Sequence, residues 1–405
     1  MIGCAAGSPA ALTRLVAAAS HWGRPGLVFG HNVDLLRSVG LRTLLDFRDD
    51  AAASDARGRG RLMAVYGEIW ERAAAEVGAE VTAFGQQFLE IRSGDLRTIV
   101  RHRRVMLDDE VTLLIALNKA LVHQLLTLAK VRVPAYRGFP TDDTGVATDF
   151  LRTVDDFCVV KPATGTAGGN GVTCGVRTAD DLARAVVRAA RWSQSLLIEE
   201  QGHGREYRFL VLDGEVIDVV RRTPPRVVGD GRSGLAELIA AENERRRGSN
   251  GRLGLAHIHL DLDCVLTLRR AGLTLRSVPD RGRVVPVKTM ANENGPLDNE
   301  TVFDVSAELI SEVSRAALAV GLRLASVEVM TTDHWQSLTA VGGVIFEVNG
   351  TPGLHYHYQV RDPQRATPVA TVILQRLLAE AARQIIAAPD VGAAGDAHPV
   401  AGRAV

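Results

Sequence analysis

A lysine at the end of an apolar run precedes a glycine-rich segment, and together they are typical of a site that binds phosphate. Lys161 lies in VVKPATGTAGGNGV and is followed by four glycines, Gly165, Gly168, Gly169 and Gly171. Glycine lets backbone N–H groups approach an anion closely, and a lysine at a strand end supplies a point charge. The spacing matches neither a P-loop nor a dinucleotide fingerprint, so a flexible connection without a ligand is the alternative.

A second group of polar residues combines carboxylate and amide oxygens at the ends of apolar runs. Glu347 and Asn349 in VIFEVNG share one face of a predicted strand because side chains alternate. Such oxygens suit Mg²⁺. Glu328 lies within the apolar run ASVEVMT, where a buried acid needs a partner. A turn at the Asn-Gly-Thr-Pro-Gly segment, or a salt bridge of Glu328 on an edge strand, is the simpler alternative.

A third group follows the apolar run LLIEE. It contains Glu199 and Gln201, and then Glu206 in what we expect to be a polar turn. Backbone groups of a short strand-to-loop hinge can recognise adenine, and a carboxylate can accept hydrogen bonds from ribose hydroxyls. An exposed strand end with solvated acids explains the same pattern.

Alternating helical and strand-like segments must position these groups. We predict strands at 79–84, 87–92, 157–162, 195–200, 325–331 and 343–349, with a hairpin turning at Asp213-Gly214. A long extended stretch reaches residue 290 and includes Cys264 in a strand-like run. We predict helices at 59–78, 117–130, 178–191, 233–247, 302–320 and 364–387.

Composition narrows the function classes. Lys and Arg together number 47, as do Asp and Glu, which argues against a nucleic-acid-binding surface spread over the molecule. The four cysteines have no metal-like spacing, and no run of 18 apolar residues or signal peptide is evident. We expect a soluble, cytoplasmic protein with no membrane or nucleic-acid partner.

The three groups occur in the order and spacing of ATP-grasp ligases. The chain most resembles the ATP-grasp region of cyanophycin synthetase, and is also similar to glutathione synthetases and ribosomal-protein glutamate ligases. The most specific segment is RRTPPRVVGDGRSGLAELIAAENERR, 221–246, supported by KTMANENG, 288–295, and NGTPGLHYH, 349–357. The resemblance covers roughly residues 108–388. The first hundred residues resemble no family.

The resemblance implies an α/β (α+β) protein with the ATP-grasp fold, in which two α+β subdomains grip ATP behind an N-terminal α/β domain. We expect an N-terminal domain that forms a substrate or dimer face, a central subdomain with the glycine-rich loop, a C-terminal subdomain with the hinge and Mg²⁺ site, and a disordered tail. These span residues 1–115, 116–194, 195–388 and 389–405.

The resemblance also implies a role for each matching residue. Lys119 and Lys161 would bind the nucleotide phosphates and Gly165 to Gly171 would close over them; Glu199 and Gln201 fall at the adenine hinge and Glu206 at the ribose. Mg²⁺, or alternatively Mn²⁺, would be held by Glu328, Glu347 and Asn349. Arg222 and Lys288 would neutralise the transferred phosphoryl group and the acyl-phosphate. Arg208, grouped with these catalytic residues, and His357 are weaker candidates for holding a substrate carboxylate, and His355 and Asn292 are weaker candidates for substrate contacts.

The implied reaction is ADP-forming ligation of a carboxylate to an amine through an acyl-phosphate, with Glu293, Asp298 or His355 as the base. We expect amino acids or short peptides as substrates, in specialised metabolism, and a homodimer is a candidate assembly. Two departures indicate a diverged substrate pocket: Glu328 replaces the usual Asp, and Glu293-Asn294-Gly295-Pro296 replaces Ser-Thr-Gly-Gly. The alternatives are ligation onto a protein or carrier tail, and a non-catalytic ATP-binding module.

Overall fold

The computed structural model describes residues 62–85, 87–166, 168–248 and 257–387 of the 405-residue chain. The predicted disordered tail, 389–405, and most of the predicted N-terminal domain lie outside this part of the chain. No helix within the described ranges is long and apolar enough to cross a membrane.

Helices and strands alternate through the described ranges. The helices are α1 (62–76), α2 (Glu110–Ala116), α3 (Lys119–Leu128), α4 (Gly145–Thr153), α5 (Ala179–Ala190), α6 (Leu235–Gly248), α7 (Leu262–Arg270), α8 (Ala307–Val320), α9 (Leu338–Val341), α10 (His355–Tyr358) and α11 (Val369–Ala387). Short 3₁₀ turns lie at Ala291–Glu293, Pro296–Asp298 and Pro363–Arg365.

The strands form antiparallel sheets. They are β1 (Glu80–Phe84), β2 (Phe88–Ser93), β3 (Leu96–Val100), β4 (Tyr136–Pro140), β5 (Cys158–Pro162), β6 (Thr173–Val176), β7 (Ser195–Glu200), β8 (Arg205–Leu212), β9 (Glu215–Arg222), β10 (Arg226–Val228), β11 (Val284–Pro286), β12 (Asn299–Thr301), β13 (Leu324–Thr331) and β14 (Val344–Asn349). The predicted mixed α+β class is confirmed.

Two sheets carry most of the polar groups identified in the sequence. The larger has the order β12-β9-β8-β13-β14, and the smaller has the order β4-β7-β5-β6. Every strand pair in both sheets is antiparallel. The hairpin between β8 and β9 turns at Asp213 and Gly214, both with positive φ, as a two-residue turn requires. That predicted turn is confirmed.

The register of the larger sheet places two acids side by side. Glu328 on β13 lies opposite Glu347 on β14, and Ser326 lies opposite Asn349. On its other side, β13 pairs with β8, so that Glu328 also lies opposite Arg208. β13 is therefore an interior strand, which excludes the edge-strand alternative for Glu328.

Helix α1 and the small β1-β2-β3 sheet pack against the larger sheet and α11. Tyr66 and Trp70 share one apolar core with Leu210, Leu324 and Leu374. Trp70 is fully buried, and its indole Nε1–H donates to the backbone oxygen of His102 at 2.6 Å. The segment after β3 is thereby fixed to the main body of the protein.

Several predicted elements have different boundaries in the structure. The helix predicted at 117–130 is α3, which begins only at Lys119 because the Asn118 side chain accepts a hydrogen bond from Leu121 N and caps it. A separate helix, α2, precedes it and was not predicted. The helices predicted from 302 and 364 begin at Ala307 and Val369. The Ser306 side chain caps the first of them, accepting a hydrogen bond from Leu309 N.

Two other expectations are wrong. The stretch predicted as extended up to residue 290 contains α7, so Cys264 lies in a helix, where the Asp261 side chain accepts its backbone N–H as the N-cap. Glu206 lies within strand β8 rather than in a turn. In the first segment the short apolar run fits either a helix or a strand, and the Asp261 cap favours the helix. In the second, pairing of β8 with β9 and β13 extends the strand through Glu206.

Replacing Trp70 tests the packing of α1. We expect Trp70→Ala to lower the free energy of unfolding by about 3–5 kcal/mol, because the cavity cannot collapse fully and a buried indole contact is lost. Trp335→Ala is the matched control, since 63% of Trp335 is exposed, and should cost less than about 1 kcal/mol. Urea titration followed by circular dichroism measures both; equal costs would contradict the packing described.

Candidate functional site

Most of the polar residues selected from the sequence converge on one pocket between the two sheets. It has a volume of about 110 Å³ and adjoins a wider cleft of about 950 Å³. The predicted residues that line the smaller pocket are Lys119, Lys161, Gly169, Glu199, Gln201, Glu206, Arg222, Asn292, Glu328 and Glu347.

Lys161 is held by two other buried polar groups. Its Nζ lies 2.7 Å from Oε1 of Glu199, whose Oε2 lies 3.0 Å from Nε2 of His123. All three side chains are almost inaccessible to solvent. Burial raises the pKa of Glu199, but Lys161 and His123 outweigh it and lower the pKa overall. The alternative of a solvated acid at Glu199 is therefore excluded.

Lys119 joins three parts of the structure. It is the first residue of α3, and its Nζ lies 3.2 Å from Oε1 of Glu347 at the end of β14. The same Nζ donates to the backbone oxygen of Thr166 in the glycine-rich loop at 3.2 Å. Burial raises the pKa of Glu347, but the charges of Lys119 and Lys161 outweigh it and lower the pKa to about 2.

Glu328 has one carboxylate oxygen engaged and one without a partner. Its Oε1 accepts from Ser326 Oγ at 3.1 Å and lies 2.8 Å from Nε of Arg208. Its buried Oε2 has no hydrogen-bond partner within the described ranges. Burial raises the pKa of Glu328, and Arg208 only partly opposes this. An unpartnered oxygen beside Glu347 and Asn349 fits a hard divalent cation.

The proposed metal ligands are two carboxylates and one amide, rather than a cluster of acidic, histidine or cysteine side chains. Across the part of the chain that the structure describes, no cluster of three or more His, Cys, Asp or Glu side chains could hold a metal ion. Glu347 and Glu328 supply two carboxylates, and Asn349 adds an amide that hydrogen-bonds Glu347. This donor set is sufficient for Mg²⁺, which keeps several waters or phosphate oxygens as ligands.

Arg222 closes another side of the pocket and is paired with Glu206. The guanidinium Nη1 lies 2.5 Å from Oε1 of Glu206, and Nη2 donates to the backbone oxygen of Ala291 at 3.0 Å. The ring of Tyr356 lies between Arg222 and Arg208, whose guanidinium carbons are 4.7 and 4.3 Å from its centroid. The pair between Glu206 and Arg222 was not expected from the sequence.

The glycine-rich loop adopts backbone conformations that require glycine. All four predicted loop glycines have φ between 70° and 78°. A Cβ at Gly169 would lie 2.1 Å from Nδ2 of Asn292, whereas a Cβ at Gly168 would meet nothing within 4 Å. Gln201 reaches this region as well, accepting the backbone N–H of Gly175 at 2.8 Å.

Lys288 lies in a separate charged cluster on the wall of the wider cleft. Its Nζ lies 2.7 Å from Asp261 Oδ1 and 3.4 Å from Glu293 Oε2. Asp261 also pairs with Arg188, and Glu293 also contacts His259 Nδ1 at 3.0 Å. Burial lowers the pKa of Lys288, but the two acids outweigh it and raise the pKa.

The sequence did not single out His123, Asp261, His259 or Arg188. Their partners lie tens of residues away, so no local motif marks them. The single available signal was the Asp261-Leu262-Asp263 triplet before an apolar repeat, which is typical of a helix N-terminus.

The predicted substrate histidines are in different environments. His355 lines the wider cleft, and its Nδ1 lies 3.1 Å from the hydroxyl of Tyr66. Burial, together with Arg208 and Arg103, holds the pKa of His355 well below its usual value. His357 is fully buried against Asp218, and neither cavity includes it. The structure therefore does not bring His357 to the substrate side of the cleft.

Comparison with known proteins identifies relatives by sequence. Cyanophycin synthetase of Trichormus variabilis is 32% identical over 266 residues, 64% of this chain and 29% of that protein. The glutathione biosynthesis bifunctional protein GshAB of Enterococcus faecalis is 30% identical over 309 residues, 73% of this chain and 40% of that protein. The predicted resemblance to ATP-grasp ligases is confirmed. The chain spans less than half the length of these two relatives.

No protein-family model matches the chain. Among solved structures, the bifunctional glutathione synthetase of Pasteurella multocida is 26% identical, with a TM-score of 0.48 over 75% of this chain and 41% of that one. A D-alanine–D-alanine ligase of Bacillus anthracis is 15% identical, with a TM-score of 0.41 over 67% of this chain and 68% of that one.

Breaking the buried pair of Lys161 and Glu199 tests the electrostatics of the pocket. We expect Glu199→Gln to lower the free energy of unfolding by about 3–5 kcal/mol, because Lys161 is left buried without its counter-charge. Adding Lys161→Met to this variant should restore part of the loss, giving a coupling energy above about 1 kcal/mol. Denaturant unfolding of the two single variants and the double variant measures it.

The exposed pair of Arg152 and Asp149 is the control, with 66% and 76% of the side chains accessible. Replacing either residue should change the free energy of unfolding by no more than about 0.5 kcal/mol. Additive effects of Glu199→Gln and Lys161→Met would contradict the described pairing.

Proposed function

We propose that this protein is an ATP-dependent, ADP-forming ligase that joins a carboxylate to an amine through an acyl-phosphate. One observation carries the proposal: two buried lysines, Lys119 and Lys161, converge with the acids of β13 and β14 on one pocket that opens beside a wider cleft. Phosphoryl transfer is catalysed chiefly by positioning and by charge that stabilises the transferred group, and these residues supply both beside a cleft that can admit a substrate.

The smaller pocket has the composition of a nucleotide site. Its apolar walls, formed by residues such as Val159, Met330 and Phe346, suit the faces of a purine ring. Lys119 and Lys161 supply charge for the phosphates, and the glycine-rich loop brings backbone N–H groups to the same place. Glu206, although paired with Arg222, lies on the wall where it can accept a hydroxyl of the ribose.

Glu328, Glu347 and Asn349 would hold Mg²⁺, or Mn²⁺ in its place. The ion, when bound, would neutralise charge on the transferred phosphoryl group. Oε2 of Glu328 would gain the partner that it lacks, and Glu347 could release Lys119 to a phosphate. The carboxylate of Glu347 is ionised at neutral pH, as a metal ligand must be, because its pKa is about 2.

The proposed reaction has two steps, phosphoryl transfer to the carboxylate and then formation of the amide bond. An oxygen of the substrate carboxylate forms a bond to the γ-phosphorus of ATP as the bond to ADP breaks. The neutral amine then adds to the acyl carbon, the bond from that carbon to the phosphate oxygen breaks, and the proton lost by the amine passes to the departing phosphate. Arg222 would stabilise the transferred group. Lys288 would act at the acyl-phosphate, for which it would have to exchange its ion pairs with Asp261 and Glu293.

The donor and acceptor are proposed to be amino acids or short peptides, in a specialised peptide metabolism. The relatives named above are a cyanophycin synthetase and a glutathione biosynthesis protein, and the wider cleft, at about 950 Å³, is large enough for a peptide. Release of ADP and phosphate over pairs of free amino acids tests this. Turnover only with a protein or carrier tail would support the alternative ligase, and AMP formation would contradict the mechanism.

Replacing Glu347 tests the proposed metal site. We expect Glu347→Gln to lower kcat/KM by at least about 100-fold, because a carboxylate ligand is lost. Raising Mg²⁺ should recover part of the activity. Glu300→Gln, at a partly exposed residue that pairs with Arg221 and lines neither cavity, is the control and should stay within about twofold. ADP release measures both; full activity of Glu347→Gln would refute the assignment.

Substitutions at two neighbouring glycines can distinguish the effect of a close contact from that of backbone strain. Gly168 and Gly169 both have positive φ, but only at Gly169 would a Cβ overlap Asn292. We therefore expect Gly169→Ala to lower kcat/KM about tenfold more than Gly168→Ala, with most of the difference in KM for ATP. Steady-state ADP release measures it, and equal effects would show that the contact with Asn292 has no role.

A further inference from the structure

Two arginines outside the region of resemblance lie on the wall of the wider cleft. Arg103 and Arg104 follow β3, in the part of the chain that was predicted only as a substrate or dimer face, with no residue assigned a role. They share the cleft with His355 and Tyr356 of α10 and with Asn349 at the end of β14. The smaller pocket, where the nucleotide is proposed to bind, includes neither arginine among its lining residues.

The backbone that carries these arginines is fixed. Arg101 and Arg104 exchange two backbone hydrogen bonds, at 3.0 and 2.9 Å, around His102, which has a φ of 54°. The backbone oxygen of His102 also accepts the indole N–H of the fully buried Trp70. The turn is therefore held by the core of α1, and the guanidinium groups project from a pre-organised support.

Arg103 and Arg104 lie near α10, on the side of the cleft where the substrate is proposed to bind. Burial raises the pKa of Tyr66 and lowers that of His355, and in both cases the charge of Arg103 acts to lower the pKa, so its guanidinium lies near this hydrogen-bonded pair. His355 stays neutral near pH 7, because its pKa is held well below its usual value. The imidazole therefore adds no positive charge of its own, and the arginines dominate the local potential.

The acids of the cleft wall are all paired with other residues. Glu347 pairs with Lys119. Asp261 and Glu293 both contact Lys288. By contrast, Arg103 and Arg104 have no acidic partner in the described ranges, although both face a concave wall. Guanidinium groups at the wall of a cleft, without an internal counter-ion, are suited to bind a carboxylate in two-point fashion.

We propose that Arg103 and Arg104 bind a substrate carboxylate other than the one that is activated, so that the ligase takes an acidic amino acid or a short peptide with an additional free carboxylate. The inference rests on the proposed function for its meaning, but it concerns binding and can be tested without turnover. It assigns the segment after β3 to substrate selection.

Matched acids and amides test the proposal, because aspartate and asparagine, or glutamate and glutamine, differ chiefly in charge. The double variant Arg103→Gln/Arg104→Gln is compared with wild type for ADP release with each compound. We expect wild type to favour the acids over the amides by about 10- to 100-fold in kcat/KM. In the double variant that preference should fall to within about threefold, through KM for the acids, while KM for ATP is unchanged.

Arg101→Gln is the control. Arg101 lies in the same turn but packs on the Phe88 ring and donates to Gln87, away from the cleft. It should retain the wild-type preference. Thermal unfolding of all variants checks that the fold is intact, and Arg103→Lys/Arg104→Lys should retain part of the preference because the charge is kept.

Calorimetric binding of the same four amino acids and of the dipeptides Ala-Glu and Ala-Gln, with a non-hydrolysable ATP analogue present, separates this inference from the proposed function. Absence of ADP release with every substrate would contradict the proposed function, whereas binding still decides the role of the arginines. Preference of wild type for the amides, equal binding of acids and amides, or an unchanged preference in the double variant would each overturn the inference.

Discussion

The site depends on the constraint that a lysine removed from water needs a counter-charge. Lys119 and Lys161 are both buried, and each finds a carboxylate from another element, Glu347 on β14 and Glu199 on β7. A buried cation without a partner would cost several kcal/mol. The Lys119 pair joins α3 to the larger sheet, whereas Lys161 and Glu199 lie on neighbouring strands of the smaller sheet. Lys161 reaches the larger sheet by donating to the backbone oxygen of Phe346 at 3.2 Å.

The ion pair of Lys119 and Glu347 can be exchanged for contacts with a bound phosphate and cation. Lys119 also bonds the backbone of Thr166, so one ammonium group links α3, the larger sheet and the glycine-rich loop. An incoming phosphate would compete with Glu347 for that ammonium, and a cation at Glu347 would compensate the carboxylate. Loop position, phosphate binding and cation binding are thus coupled through one group, without any need for a large rearrangement of the sheets.

Sequence reasoning identified the parts of the site that local patterns encode. Lys161 and its glycines were visible because a strand and a tight loop both leave local signals, and Glu347 with Asn349 because side chains alternate along a strand. It failed where a distant partner decides. Glu206 was assigned to a turn, yet it pairs with Arg222 across two strands. The fully buried His357 was assigned to substrate, because its partner Asp218 is 139 residues away.

The division of charge between the two cavities suggests how substrate choice can change while the nucleotide chemistry is kept. Lys288 is paired with both Asp261 and Glu293. That wall of the cleft is therefore close to electrically balanced. Among the described residues, positive charge without an acidic partner comes instead from Arg191 and from the turn that holds Arg103 and Arg104. Since neither arginine lines the smaller pocket, substitutions there would change the charge of the wider cleft without disturbing the buried pairs of Lys119 and Lys161.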